Sequence, residues 1–116
     1  VLGASKAVVR AEEEEAYKAS YTNPDTGYEA VIEDDAELIE ESDYEALIDL
    51  MKQITPYGNV MLKTIDTNSI STEGYVRSLY NSRYGSGSGT IFIIDMQTGW
   101  GTTLDYTYTQ YMNKYT

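Results

Sequence analysis

The sequence predicts an α/β fold with a small, mostly parallel central sheet. Three short apolar runs have the composition of buried strands, and segments with helical periodicity separate them. Strands joined by helices pair in parallel, so their carboxyl ends lie at one edge of the sheet. Each of the three runs ends at an acidic residue. The 116 residues are enough for one domain with a modest core.

The first predicted strand and helix lie between residues 28 and 54. The strand covers about residues 28–33, and Ser42 with Glu45 has the spacing of a capping box, which predicts the start of a helix. Pro56 and Gly58 then end that helix. Apolar residues recur at helical spacing along it, and its expected apolar face consists of Leu47, Leu50, Met51 and Ile54.

The second half of the fold repeats this pattern. The second strand, about residues 59–65, is nearly all apolar, as expected for a strand buried on both faces. A helix is predicted over about residues 72–84, and the Gly/Ser run 85–89 is a flexible connector. The third strand covers about residues 90–95. The apolar face of this second helix is Tyr75, Val76, Leu79 and Tyr80.

Residues 1–27 are predicted to be an acidic N-terminal tail or leader. Residues 12–15 are four consecutive glutamates, whose mutual repulsion disfavours packing. The turn-forming residues 23–27 then indicate the start of a domain that covers 28–116.

The C-terminal segment fits two structures. Leu104, Tyr106 and Tyr108 alternate as in a strand, and the Thr/Tyr composition favours that state. Leu104 and Tyr108 also lie on one helical face with Tyr111 and Tyr115.

Composition excludes several classes of function. The chain has no cysteine and no histidine, which removes disulfides, thiolate chemistry, Ser-His-Asp triads and the usual zinc ligands. Any metal would be held by oxygen, which favours calcium, magnesium or manganese. The net charge of −11 makes nucleic acid and anionic membrane surfaces poor partners. No apolar run is long enough to span a bilayer.

Acidic residues at the predicted strand ends indicate where function lies. Because ligands of open α/β sheets bind outside the carboxyl ends of the strands, these residues form the candidate site. A cluster of carboxylates is stabilised when a metal ion neutralises it. For the run at residues 33–35, a solvated loop before a helix is the alternative. The candidate metal ligands are Asp34, Asp35, Asp66 and Asp95.

Residues 28–39 resemble the opening of the TPM domain family, in which a hydrophobic run precedes Asp, any residue and Ala. Asp34 and Ala36 fall on those two positions. Further short motifs of the bacterial branch follow in order, and the resemblance covers about residues 28–99. These motifs are Tyr57–Val60 before the strand that ends at Asp66, Thr72–Val76, and Gly89–Asp95.

The resemblance implies a three-layer α/β/α sandwich, binding of a divalent cation, often calcium, and an exported protein. Some members are linked to acid phosphatase activity. Two departures from the family pattern stand out. Gly87 occupies a position where the family commonly has Asp, and the strand expected after residues 96–99 is not evident. If a segment is absent there, residues 104–115 are the later family helix, which favours a helix for them.

The leading hypothesis is an extracytoplasmic TPM-like domain that binds a divalent cation, calcium first, or a small ligand through these carboxylates. The enzyme alternative is a phosphatase-like hydrolase that uses the same carboxylates. Its weakness is the lack of a cation in the loops, since Lys63, Arg77 and Arg83 lie on the strand or helix. The third hypothesis is a non-catalytic module that meets a cell-envelope protein through the acidic tail and the tyrosines.

Overall fold

The computed structural model describes residues 19–97 and the backbone of residues 107–112. These ranges confirm the α/β class. Short 3-10 turns at Glu41–Asp43 and Lys52–Ile54 flank the first α-helix. The remaining elements are β1 (Ala19–Thr22), β2 (Glu29–Asp34), α1 (Tyr44–Met51), β3 (Asn59–Ile65), α2 (Thr72–Arg83), β4 (Gly89–Asp95) and β5 (Thr107–Met112).

The five strands form one mixed sheet in the order β1-β2-β3-β4-β5. The three middle strands are parallel, because a helical crossover joins each to the next. The outer strands β1 and β5 pair antiparallel with β2 and β4. The predicted parallel arrangement therefore holds for the middle of the sheet and not for its edges.

Strand β1 corrects the predicted domain boundary at residue 28. Residues 19–22 pair with β2, so the turn cluster that follows them is the loop of a hairpin. The Asn23 side chain accepts the N–H groups of Asp25 and Thr26 at 2.8 and 3.2 Å, and Gly27 has a φ of 80°. Turn residues of this kind occur both in hairpin loops and at domain boundaries, so the sequence did not distinguish a hairpin from a domain start. Residues 1–18 of the predicted tail lie outside the described residues.

Strand β5 corrects the helix predicted for residues 104–115. Residues 107–112 are extended and pair with β4, with Tyr111 in register with Ile91. The β-branched and aromatic composition of this segment therefore decided its conformation, in line with propensity. The other residues of the predicted helix lie outside the described ranges.

The core consists of two apolar clusters on opposite faces of the sheet. Val31 belongs to one cluster, whereas its neighbours Ala30 and Ile32 belong to the other. Successive strand residues point to opposite faces. The cluster with Val31 contains Val76 and Tyr80 of α2, and the cluster with Ala30 contains Ile48 of α1. Each helix therefore covers its own face.

Helix α1 is shorter than predicted and presents a different side to the sheet. Ile48 is its buried residue, with Tyr44, Leu47 and Met51 packed partly around it. Leu50, which the sequence placed on the apolar face, is 64% exposed. Neither the short turn that contains Ser42 nor α1 itself has a side-chain cap, so the predicted capping box does not form.

Helix α2 matches its prediction. Val76 and Tyr80 are buried, and Tyr75 and Leu79 pack partly against the same cluster. The Ser71 hydroxyl caps the helix by accepting the N–H of Gly74 at 3.0 Å. Within the described ranges, no helix has the length and apolar character needed to cross a membrane.

The two β–α–β connections have opposite hands. Strands β2, β3 and β4 follow one another in the sheet, and the helices that join them lie on opposite faces. Two right-handed crossovers in this order would place both helices on one face, so one crossover is left-handed. About 98% of such connections are right-handed. The loops that leave the carboxyl ends of β2 and β3 consequently diverge to opposite sides of the sheet.

A substitution at Gly89 tests how closely β4 approaches β3. A Cβ at this position would lie 2.7 Å from the carbonyl oxygen of Asn59 and 3.1 Å from the Tyr80 hydroxyl. Because the nearer contact is backbone, we expect Gly89→Ala to lower the free energy of unfolding by about 1 to 3 kcal/mol. Urea denaturation measures this, with the exposed Ser86→Ala as control. Equal stability of the two variants would contradict the close packing.

Candidate functional site

The carboxyl ends of the parallel strands carry the four predicted ligands: Asp34, Asp35, Asp66 and Asp95. The structure divides them between the two faces of the sheet. Asp34 is in register with Thr64, whereas Asp95 is in register with the next residue, Ile65. Because neighbouring strand residues point to opposite faces, Asp34 and Asp95 cannot contribute to one pocket. This separation corrects the expectation that all four carboxylates converge.

Asp34 lies fully buried on the α1 face. Its carboxylate accepts hydrogen bonds from the Thr64 hydroxyl at 2.7 Å, the Leu38 and Ile39 N–H groups at 2.9 Å each and the Tyr44 hydroxyl at 3.1 Å. A carboxylate offers about four acceptor positions, so these partners saturate it. Asp34 therefore fixes the loop after β2 and joins α1 to the sheet, with no lone pair left for a cation in this arrangement.

The hydrogen bonds also control the charge of Asp34. Burial alone would raise the pKa of this carboxyl, but the four donors outweigh burial and hold its pKa below the ordinary value. Asp34 is thus ionised at neutral pH even though it is buried.

Asp95 has the equivalent role on the α2 face, where it is also fully buried. It accepts the Asn68 side-chain amide at 2.9 Å, the Thr72 hydroxyl at 2.8 Å and the Gln97 N–H at 2.9 Å. These groups come from the loop after β3, the first turn of α2 and the turn after β4. A single carboxylate therefore holds three chain segments together at the edge of the sheet.

Asp35 belongs to a buried cluster of charges. The Lys63 ammonium lies 2.6 Å from Glu33 and 2.9 Å from Asp35, and Lys63 and Glu33 are each 7% exposed. Burial alone would lower the pKa of Lys63, but the hydrogen bonds to Glu33 and Asp35 raise it instead. Lys63 therefore stays protonated and pairs with both carboxylates, while the Asp35 side chain remains 45% exposed.

The cluster continues toward the amino ends of the strands. Arg83 binds Glu29 at 2.9 Å and lies 3.7 Å from Glu33, and the Tyr84 hydroxyl donates to Glu29 at 3.0 Å. These groups border an open groove of about 560 Å³. Its lining is Gly27, Glu29, Asn59, Leu79, Ser82, Arg83 and Tyr84. Arg83 and Lys63 are thus both engaged with carboxylates of the protein.

Asp66 differs from the other three predicted ligands. It is exposed, and its side chain makes no hydrogen bond or ion pair with the described residues. It directly precedes a cleft of about 470 Å³ at the carboxyl edge. This cleft, which we call the edge cleft, is lined by Thr67, Asn68, Ser69, Ile70, Tyr75 and Gln97.

The described residues contain no cluster of three or more carboxylates suited to a metal ion. A cation at this edge would therefore take fewer than three carboxylates, with Asp66 and Asp35 as the candidates, and complete its shell with hydroxyl, carbonyl and water oxygens, as calcium does.

Sequence reasoning missed the residues that organise the edge. Thr64, Asn68, Thr72 and Gln97 are neutral, and no spacing rule marks them as partners of a buried carboxylate. A signal existed for Lys63, because a lysine in an otherwise apolar central strand needs a buried counter-charge. That signal indicates an ion pair without identifying Glu33 and Asp35 as the partners.

Comparisons with protein-family profiles, curated proteins and solved structures find no match to this chain. The TPM resemblance therefore stays a prediction, and function is inferred from the residues described above.

The pKa of Asp34 predicts acid sensitivity. Because its folded pKa lies below the unfolded one, its contribution is complete above about pH 4 and is lost as the pH falls through the folded value. We expect the stability of the wild type to fall below about pH 4, and Asp34→Asn to flatten this fall. Urea denaturation across this pH range measures both slopes. Asp25→Asn, in the exposed hairpin turn, should keep the wild-type slope, and a wild-type slope in Asp34→Asn would refute the assignment.

Lys63 provides a test of the buried charges. Lys63→Met leaves Glu33 buried without its cation, so we expect a loss of about 3 to 5 kcal/mol in the free energy of unfolding. Combining it with Glu33→Gln should restore part of this loss. The comparison is Arg77→Met, which breaks the exposed Arg77–Glu73 pair of 3.3 Å and should cost about 1 kcal/mol or less. Equal effects of Lys63→Met and Arg77→Met would exclude a stabilising buried pair.

Proposed function

We propose that this chain is a small-ligand-binding domain whose site is the edge cleft, with Asp66 at its border. The ligand is a small polar molecule or a divalent cation, with calcium the first candidate. The observation that carries the proposal is the cleft of about 470 Å³ outside the carboxyl ends of β3 and β4. Its volume falls within the usual range for ligand pockets, about 300 to 1,000 Å³.

Chain topology opens the carboxyl edge of the sheet next to this location. The loops after β2 and β3 diverge to opposite faces, since α1 and α2 lie on opposite sides of the sheet. Divergence of neighbouring loops opens the carboxyl edge between β2 and β3, as at the switch points of α/β sheets, and the edge cleft lies beside that point on the α2 face, between the loops after β3 and β4. Here the opposite hands of the two crossovers produce the divergence without a reversal of strand order.

The predicted carboxylates divide into two roles under this proposal. Asp34 and Asp95 are positioning residues, because their oxygens hold the loops that border the edge. Asp66 is the carboxylate available to a cation, and Asp35 is a weaker candidate because Lys63 already neutralises it. A single carboxylate with neutral oxygens gives a weak calcium site.

Binding is better supported than hydrolysis. A phosphoryl transition state needs cationic groups aimed at it. Lys63 and Arg83 are bound to carboxylates, and Arg77 pairs with Glu73 on the exposed side of α2. The six described residues that line the edge cleft include no Lys or Arg. The TPM-type assignment and the extracytoplasmic location are further proposals, supported by the order of the short motifs and compatible with the α/β fold.

A calcium titration followed by thermal unfolding tests the cation form of the proposal. A ligand that binds only the folded state at about ten times its Kd adds about 1.4 kcal/mol to the free energy of unfolding, a shift of several degrees in Tm. We expect calcium chloride to raise the Tm of the wild type and not that of Asp66→Asn. Asp25→Asn, at the opposite edge of the sheet, should respond as the wild type does.

Amide NMR spectra recorded during titrations with calcium, magnesium and small polar molecules test the location. The expected result is a set of shifts concentrated at residues 66–70 and 97. Shifts confined to the groove around Arg83, or no shift with any compound at millimolar concentration, would refute the proposal.

A further inference from the structure

We infer that the edge cleft takes an uncharged, hydroxyl-rich molecule of about monosaccharide size. This inference rests on the proposed function and narrows its ligand class. The lining residues offer hydroxyl groups, carboxamides, one aromatic ring and one aliphatic side chain, and none of the six carries a charge. A sugar presents the matching groups, because its hydroxyls both donate and accept while its ring C–H groups are apolar.

Asn68 supplies the central polar contact. Its side-chain amide donates one N–H to Asp95 at 2.9 Å, and its carbonyl oxygen accepts the Ile70 N–H at 3.1 Å. A carboxamide has two N–H groups and two acceptor positions. Among the described residues, the half-buried Asn68 side chain thus retains one donor and one acceptor, an arrangement that complements two neighbouring hydroxyls.

Two of the lining residues, Asn68 and Gln97, are already held by hydrogen bonds before a ligand arrives. Asp95 fixes Asn68 from one side, and the Asn68 N–H donates to the Gln97 side chain at 3.4 Å, which joins the two loops across the cleft. Asp95 itself is fully buried. Because these groups are ordered in the free protein, binding loses less conformational entropy, which favours affinity for a small neutral ligand.

The remaining lining residues supply apolar surface for the C–H groups of a sugar and polar groups for its hydroxyls. The half-buried Tyr75 packs against the α2-face cluster, and Ile70 is 46% exposed, so apolar surface adjoins the amides. The exposed hydroxyls of Thr67 and Ser69 make no hydrogen bond within the described residues. Apolar walls with a few placed polar groups are typical of small-molecule sites.

Charge disfavours other ligand classes in this cleft. An anion would meet no lysine or arginine in the lining and would approach a chain of net charge −11. A cation would meet no carboxylate among the six lining residues and would favour Asp66, which precedes them in the chain. A neutral ligand avoids both penalties.

The test is an amide NMR titration of the full chain with D-glucose and N-acetyl-D-glucosamine, beside arms with calcium chloride and inorganic phosphate. We expect saccharide-dependent shifts at residues 67–70 and 97. Asn68→Ala should weaken saccharide binding about tenfold, as expected for the loss of hydrogen bonds to the ligand. Asn81→Ala, an exposed asparagine at the far end of α2, should leave it unchanged.

A second variant separates binding from loop structure. The Ser69 hydroxyl has no partner among the described residues, so Ser69→Ala should keep the native spectrum and still weaken saccharide binding several-fold. Ser82→Ala, in the groove at the amino edge, is its control.

If calcium or phosphate shifts the edge residues and neither saccharide does, the inference is overturned and the proposed function stands. If no arm shifts them, both fail, and unchanged saccharide binding in Asn68→Ala and Ser69→Ala would overturn the inference alone.

Discussion

The register between β2 and β3 is the constraint on which the rest of this structure depends. It places Glu33 beside Lys63 and Asp34 beside Thr64, so each face of β3 neutralises or hydrogen-bonds a buried carboxylate. A slip of one residue would exchange the two faces, leaving Lys63 away from Glu33 and Asp34 away from Thr64. The cost of unpaired buried charges therefore favours this register together with the burial of the apolar residues.

The hands of the two crossovers follow from where the apolar faces lie. Helix α1 buries Ile48 over one face, and α2 buries Val76 and Tyr80 over the other. One crossover must then have the rare left hand. The loops after β2 and β3 therefore leave the carboxyl edge on opposite sides of the sheet although the strands keep their sequential order, whereas in most α/β sheets such divergence requires a reversal of that order. A rare left-handed connection thus separates neighbouring loops at the edge of the sheet where α/β proteins commonly bind ligands.

Buried carboxylates in this protein organise the loops around the edge and leave contact with a ligand to neutral neighbours. Asp95 accepts groups from three segments, and those segments form the walls of the edge cleft. An apolar residue at this position would leave Asn68 and Thr72 without their partner, since these groups point at the carboxylate. The acidic composition of the strand ends is therefore explained by structure first, while Asp66 remains exposed to solvent.

The sequence by itself determined the α/β class, the three parallel strands, the buried face of α2 and the edge of the sheet at which the strand-end acidic residues lie. Periodicity and composition are local properties, and they carry this information well. Only the tertiary structure decided that residues 19–22 and 107–112 are edge strands, because the same turn and β-forming residues suit several contexts. It also decided which carboxylates are occupied by hydrogen bonds within the protein. Thr64 and Asn68 become partners of Asp34 and Asp95 only once distant segments pack together. Hydrogen-bond saturation is a property of three-dimensional neighbours, and no spacing along the chain encodes it.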